Sequence, residues 1–190
     1  MLENFQCEKC DLHLSKTNYV IGSGNEDADI MVIGEAPGKQ EDEEGKPFVG
    51  ASGSMLNKAL HLAEIKREDI YIANICKCRP PENRNPKKAE INACLPYLEA
   101  QIIKINPQFI ITLGNVPTHA LLPSLKKKGI KTLYGNCFKY CVIEDLEGGF
   151  LRYHYTLYPN YHPSYILRGF GRPYLGDFQS IFKKVKKKLN

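Results

Sequence analysis

Four short apolar runs recur along the chain with helical patterns between them: ADIMVIG (Ala28 to Gly34), DIYIANI (Asp69 to Ile75), QFIITLG (Gln108 to Gly114) and the stretch from Thr156 to Pro159. A continuous apolar run of this length suits a strand buried on both faces, and helices between such strands imply right-handed parallel crossovers. The chain is therefore expected to be α/β, a three-layer α/β/α sandwich with a central four-stranded, mainly parallel sheet. GSMLNKALHLAEI places Leu56, Leu60 and Leu62 or Ala63 on one helical face, with Ser52 or Ser54 as the cap. PKKAEINACLPYLEAQIIKI carries Ile91, Leu95, Leu98, Ile102 and Ile105 on another face. Pro86 stands there at a first helical position, and Pro96 predicts a break or kink. PTHALLPSL reads as a further helix, and the residues after Lys139 as an exposed hairpin feeding the fourth strand. No linker or repeat divides the 190 residues, which predicts one domain, 1–190, with an N-terminal arm (1–27) and a basic C-terminal helix (about 177–189).

In such sheets ligands bind beyond the carboxyl ends of the strands. Here those ends open into GEAPGKQED from Gly34, NICKCRPP from Asn74, GNVPTH from Gly114 and NYHPSY from Asn160. No apolar run approaches the roughly 20 residues of a membrane helix, and MLENFQCEKC has no signal-peptide pattern; both predict a cytoplasmic protein without a membrane partner. The net charge of +5 permits a polyanion, with basic residues gathered at Lys77 to Lys88, Lys126 to Lys128 and Lys183 to Lys188. The seven cysteines are an odd set for a disulfide framework. Cys7 and Cys10 form a CxxC which, with the distant Cys78 and Cys94, makes a workable four-thiolate metal site. Spacing alone leaves zinc, an iron–sulfur cluster and unligated thiols all open. Cys76 reads as a small buried apolar side chain, and Cys137 and Cys141 as free thiols.

Three segments, GEAPGKQEDEEGKPFVGASGSMLNKAL, YIANICKCRPPENRNPKKAEINAC and YHPSYILR, resemble the motifs of family-4 uracil-DNA glycosylases, the iron–sulfur branch of that superfamily. The likeness runs in order from Cys7 to about Arg168. It implies a uracil-DNA glycosylase-like fold and a DNA repair enzyme that flips uracil from DNA and hydrolyses its N-glycosidic bond, leaving an abasic site. It also implies a structural [4Fe–4S] cluster on Cys7, Cys10, Cys78 and Cys94, no organic cofactor, uracil-containing DNA as partner and a monomeric state.

The resemblance further assigns roles by position. The amide of Asn74 matches the N3–H and O4 edge of uracil, where cytosine presents the opposite polarity. Phe48 stacks on the base, and the backbone around Glu35 and Ala36 approaches O2. Ala36 stands where the best-known sister family has its water-activating Asp, so that work passes to Glu41, which either orients water or excludes the methyl of thymine. Asp42, Glu43 and Glu44 read as solvated. His162 donates to O2 of the departing base. Ile166 or Leu167 wedges between bases, with Arg168 on phosphate, and Arg79, Arg84, Lys87 and Lys88 contact the backbone. GFGRPYLGDF is unlike the usual ending of the family. Two other readings stay open: a non-catalytic module with a four-cysteine zinc site that binds nucleic acid, and a same-fold glycosylase for another deaminated base such as hypoxanthine.

Overall fold

The computed structural model describes residues 6–147, 149–168 and 174–189. Its strands are β1 (Ser23–Gly24), β2 (Ile30–Gly34), β3 (Tyr71–Asn74), β4 (Phe109–Leu113), β5 (Phe138–Leu146) and β6 (Gly149–Asn160). The helices are α1 (Leu12–Ser15), α2 (Lys39–Glu44), α3 (Ala51–Leu62), α4 (Lys88–Ile105), α5 (Asn115–Leu121), α6 (Ile130–Leu133), α7 (Pro163–Leu167) and α8 (Leu175–Leu189). The strands form one sheet of order β1-β3-β2-β4-β6-β5. The four expected strands, β3, β2, β4 and β6, pair in parallel at its centre. Both outer strands are antiparallel additions, so the sheet has six strands rather than four. β6 is one continuous strand: Gly149 to Leu157 close the hairpin with β5, and its last five residues, Thr156 to Asn160, pair with β4.

Strand alternation explains the three layers. In β2, Met31 and Ile33 face a cluster with Leu98, Ile102 and Ile105 of α4, while Ile30 and Val32 face Leu56 and Leu60 of α3 and Phe178, Ile181, Phe182 and Val185 of α8. The spacing of the α8 residues, i, i+3, i+4, i+7, leaves Lys183, Lys184, Lys187 and Lys188 exposed. Of the residues expected on α3, Leu56, Leu60 and Ala63 are buried, but Leu62 is exposed.

Several local expectations give way. Pro96 lies inside α4, which runs through it unbroken. The carbonyl it orphans belongs to Asn92, and both residues lie on the exposed face, so no buried group is left unsatisfied. The cap of α3 is Gly50, not Ser52 or Ser54. α4 begins after Lys87, one residue beyond Pro86, because the Glu90 carboxylate accepts the Lys87 N–H at 2.6 Å. Asp42 is not solvated. It is buried, and its carboxylate accepts the backbone N–H of Thr17 (2.9 Å) and Asn18 (3.2 Å), tying the N-terminal arm to α2. Of GFGRPYLGDF, residues 169–173 lie outside the described part; Tyr174, which follows, stacks on Tyr161 at 4.9 Å.

Candidate active site

The central strands end together: Gly34 lies opposite Asn74, and Leu113 opposite Asn160. The loops beyond them enclose an open cleft of about 1560 Å³, whose lining includes Glu35, Ala36, Glu41, Phe48, Asn74 and His162. The part of it that a ligand can occupy, about 630 Å³, falls within the roughly 300–1,000 Å³ of small-molecule pockets and has room for a single base.

Asn74 is 2% exposed, and its Oδ1 has no hydrogen-bond partner. A buried acceptor left unpaired costs about 1–3 kcal/mol, a cost that a hydrogen-bond donor entering the cleft would offset. Phe48 stands beside it. A side chain at Gly34 would strike both the Asn74 amide and the Phe48 ring, and one at Gly53 would strike the Phe48 backbone. Phe48 itself has φ +52°, a left-handed conformation that a bulky residue adopts only when its surroundings hold it there.

Glu41 supplies that hold. Its Oε1 accepts the N–H of Val49 (3.1 Å) and Gly50 (2.9 Å), and its Oε2 that of Gly38 (3.2 Å). The carboxylate thus staples the loop before α2 to the loop that carries Phe48. The carbonyls of Gly34 and Glu35 accept from Ile75 and Cys76, fixing the opposite wall to the end of β3. Burial raises the carboxyl of Glu35 above its ordinary value.

His162 caps α7 and stands 6.3 Å, ring to ring, from Phe48. Its Nδ1 accepts the backbone N–H of Ser164 at 3.1 Å, and an N–H can only donate. The neutral ring must therefore carry its hydrogen on Nε2. Burial, then the charge of Arg168, lower its pKa from 6.5 to about 4 against the opposing pull of Glu41, so the ring is neutral at ordinary pH.

A second, much smaller cavity, of about 10 Å³, is lined by Cys7, Cys10, Cys78 and Cys94, the four thiols expected to converge, together with Cys76, His13, Lys77 and Glu90. Cys76 is fully buried, as its small apolar reading required, but it also faces these thiols. Among the described residues no three of Cys, His, Asp and Glu close tightly enough to hold one metal ion. A cubane binds each thiolate through a different iron, so its ligands stand farther apart. Four thiols that line one cavity without closing on a single point fit such a cluster better than a single zinc. Burial raises Cys78 to about 12 and also raises Cys10; the hydrogen bond from Cys76 and the adjacent Lys77 hold Cys94 low, at about 7. Cys137 and Cys141 lie apart from this group and are exposed.

The residues expected on the DNA backbone divide. Arg84 lines the active-site cleft but is paired, its guanidinium donating to both oxygens of Glu90 (2.9 and 2.6 Å). Arg79 donates to Asn83 at 2.8 Å. Lys87 and Lys88 are exposed, and Arg168 lies at the cleft rim with Nη2 3.3 Å from Ser164 Oγ. Ile166 is corrected: it is 3% exposed and packs into the α3–α8 core, so it is not free to enter a base stack, whereas Leu167 is 47% exposed. Lys77, counted with the surface basic group, is instead 1% exposed. Sequence reasoning missed Asp42 and Lys77, because an acidic run and a basic loop both read as solvated.

The sequence profile described as the uracil DNA glycosylase superfamily matches residues 21–189. The chain is 40% identical over 188 residues to a type-4 uracil-DNA glycosylase of Saccharolobus solfataricus, covering 97% of this chain and 82% of that protein. A type-4 uracil-DNA glycosylase of Thermotoga maritima is 43% identical over 163 residues, 86% of this chain and 79% of the relative. One of Archaeoglobus fulgidus is 52% identical over 112 residues, 59% of this chain and 56% of the relative. A cleft at the strand ends, floored by an amide and walled by Phe48 and His162, thus comes with this likeness along nearly the whole length, and the chain belongs to the uracil-DNA glycosylase superfamily, within its type-4 family.

Proposed function

We propose that this protein is a monofunctional DNA repair glycosylase, a hydrolase of N-glycosyl bonds that takes uracil out of the DNA stack and releases it, leaving an abasic site. The observation that carries the reading is the unpartnered Oδ1 of Asn74 at the floor of the cleft. It demands a hydrogen-bond donor, which uracil has at N3 and cytosine lacks; the Nδ2 amide hydrogens then suit O4. Flipping costs a few kcal/mol, which stacking on Phe48 and the edge contacts repay. As the glycosidic bond breaks, negative charge gathers on the base, and the Nε2–H of His162 donates to O2 without giving up its proton. Glu35 and Ala36 form the wall on that side. Glu41 acts chiefly by holding Phe48 and the neighbouring loop, since its oxygens already accept three amides. On the outer face Lys87, Lys88, Arg79 and Arg168 meet phosphates, Arg84 does so once it loosens from Glu90, and Leu167 fills the gap in the stack.

Cys7, Cys10, Cys78 and Cys94 would hold a [4Fe–4S] cluster, which supplies a structural cross-link between the N-terminal arm, the loop after β3 and α4. The enzyme works as a single-domain cytoplasmic monomer on uracil-containing DNA. No helix among the described residues is long and apolar enough to cross a membrane.

The test pairs two measurements on one preparation: uracil release from a single-uracil oligonucleotide, and iron content with the visible spectrum. A brown protein that liberates free uracil and leaves alkali-labile sites is expected. Protein that binds the oligonucleotide yet never frees the base sinks the enzymatic reading, and colourless protein with one zinc sinks the cluster. Equal or faster release of hypoxanthine would shift the substrate assignment.

The pH profile offers a separate check. A neutral His162 is required, and its folded pKa near 4 means that activity stays level as pH falls from 8 to about 5, then drops. A limb centred near 6.5, an ordinary histidine, contradicts the buried neutral donor.

A further inference from the structure

Lys77 carries a complete ammonium group into the interior. Its Nζ donates to the backbone carbonyl of Asn74 at 2.8 Å and to Gln101 Oε1 at 2.5 Å. Gln101 in turn donates to the carbonyl of Ile21 (3.0 Å) and to the hydroxyl of Tyr71 (3.2 Å). The Lys77 backbone is fixed as well, its N–H directed at Cys94 Sγ (3.3 Å) and its carbonyl accepting from Val20 (2.8 Å). Burying a charge is costly, and an apolar side chain of similar length would fill the same space without that cost. Stability alone therefore does not account for an ammonium here. What the ammonium does, and a thioether cannot, is grip a carbonyl.

The gripped carbonyl belongs to the residue whose side chain floors the cleft. Asn74 is the last residue of β3, where the ladder to β2 ends and the chain turns toward Cys76. The next two residues are held through their N–H groups by the carbonyls of Gly34 and Glu35. The Lys77 ammonium fixes the Asn74 carbonyl itself, and with it the plane of the following peptide. Since the Asn74 Oδ1 has no partner of its own, its direction depends on how its backbone is held.

We propose that Lys77 is a positioning residue for Asn74, clamping the Asn74 carbonyl so that the side-chain amide faces the cleft in the orientation that reads a base edge. This rests on Asn74 as the base reader. The clamp also places the cysteine cavity, which Lys77 lines, one side chain away from the recognition group.

A double-mutant cycle on the cluster-loaded enzyme tests it, with Lys77→Met, Asn74→Ala and the pair, reading kcat/KM for uracil release alongside iron content and visible absorbance. Lys77→Met is expected to lower kcat/KM about 10- to 100-fold with iron retained, the range for losing a charged hydrogen bond. In the Asn74→Ala background the same change is expected to cost less than about threefold, because the group it positions is gone. A general loosening of the fold has no reason to depend on Asn74. Effects that simply multiply, or full activity in Lys77→Met, overturn the proposal. Should Lys77→Met lose iron or fail to fold, Gln101→Leu, which removes the other partner of the ammonium, is judged by the same coupling criterion, with a smaller single effect expected. A wild-type enzyme that releases no uracil instead defeats the base-reading assignment itself.

Discussion

Alanine at position 74 is expected to lower kcat/KM for uracil release about 100- to 1,000-fold, the cost of removing one well-placed hydrogen-bonding group from a preorganised site. The same substitution should leave the melting temperature unchanged or slightly raised. Asn74 Oδ1 is buried without a partner, so removing it relieves a desolvation cost instead of breaking a bond. Activity and stability thus move independently, the signature of a residue kept for its ligand. Uracil-release kinetics and a thermal melt of the same protein read both quantities. Near-normal turnover rules out base reading by Asn74, and a large fall in melting temperature shows that the amide is instead part of the structural frame.

Glu41 gives the second large effect, and here two substitutions separate two roles. Glu41→Ala removes the acceptor for Gly38, Val49 and Gly50 together and is expected to cost about 2–4 kcal/mol, with most activity lost because Phe48 is no longer held. For a chain of this size that is a fall of roughly 5–15 °C in melting temperature. Glu41→Gln keeps a carbonyl oxygen for Val49 and Gly50 and loses only the contact to Gly38, so it should retain a substantial part of both activity and stability. If the carboxylate were the base that activates water, Gln would be as inactive as Ala while remaining well folded. Measuring kcat and melting temperature for the pair distinguishes a staple from a base.

The sheet was legible where burial writes itself into sequence. β2, β3, β4 and the end of β6 are buried on both faces and therefore read as unbroken apolar runs. β1 has only Ser23 and Gly24, partly or fully exposed, and nothing in two such residues announces a strand; it exists because the edge of β3 offers a ladder. Asn74 and His162 were legible because each stands at or just beyond the end of a core strand, the position from which a side chain reaches the cleft. The supports behind them were not. The burial of Asp42 depends on an N-terminal arm 25 residues upstream folding over α2, and that of Lys77 on Gln101, in a helix that begins beyond the proline loop. Long-range partners of this kind leave no local pattern. Ile166 and Leu167 are adjacent and equally apolar; only the placement of α7 against α3 decides that the first is buried and the second is not.

Where Gly34 and Gly53 back onto Phe48, the cleft gets its room from atoms the chain omits. Side chains there would push the aromatic ring or the amide out of place, so the dimensions of the floor are inherited with the backbone and cannot be retuned one residue at a time. A lineage, or a laboratory library, that seeks a different base must therefore work from the rim, through Glu35 and Ala36, while those two bare positions stay as they are.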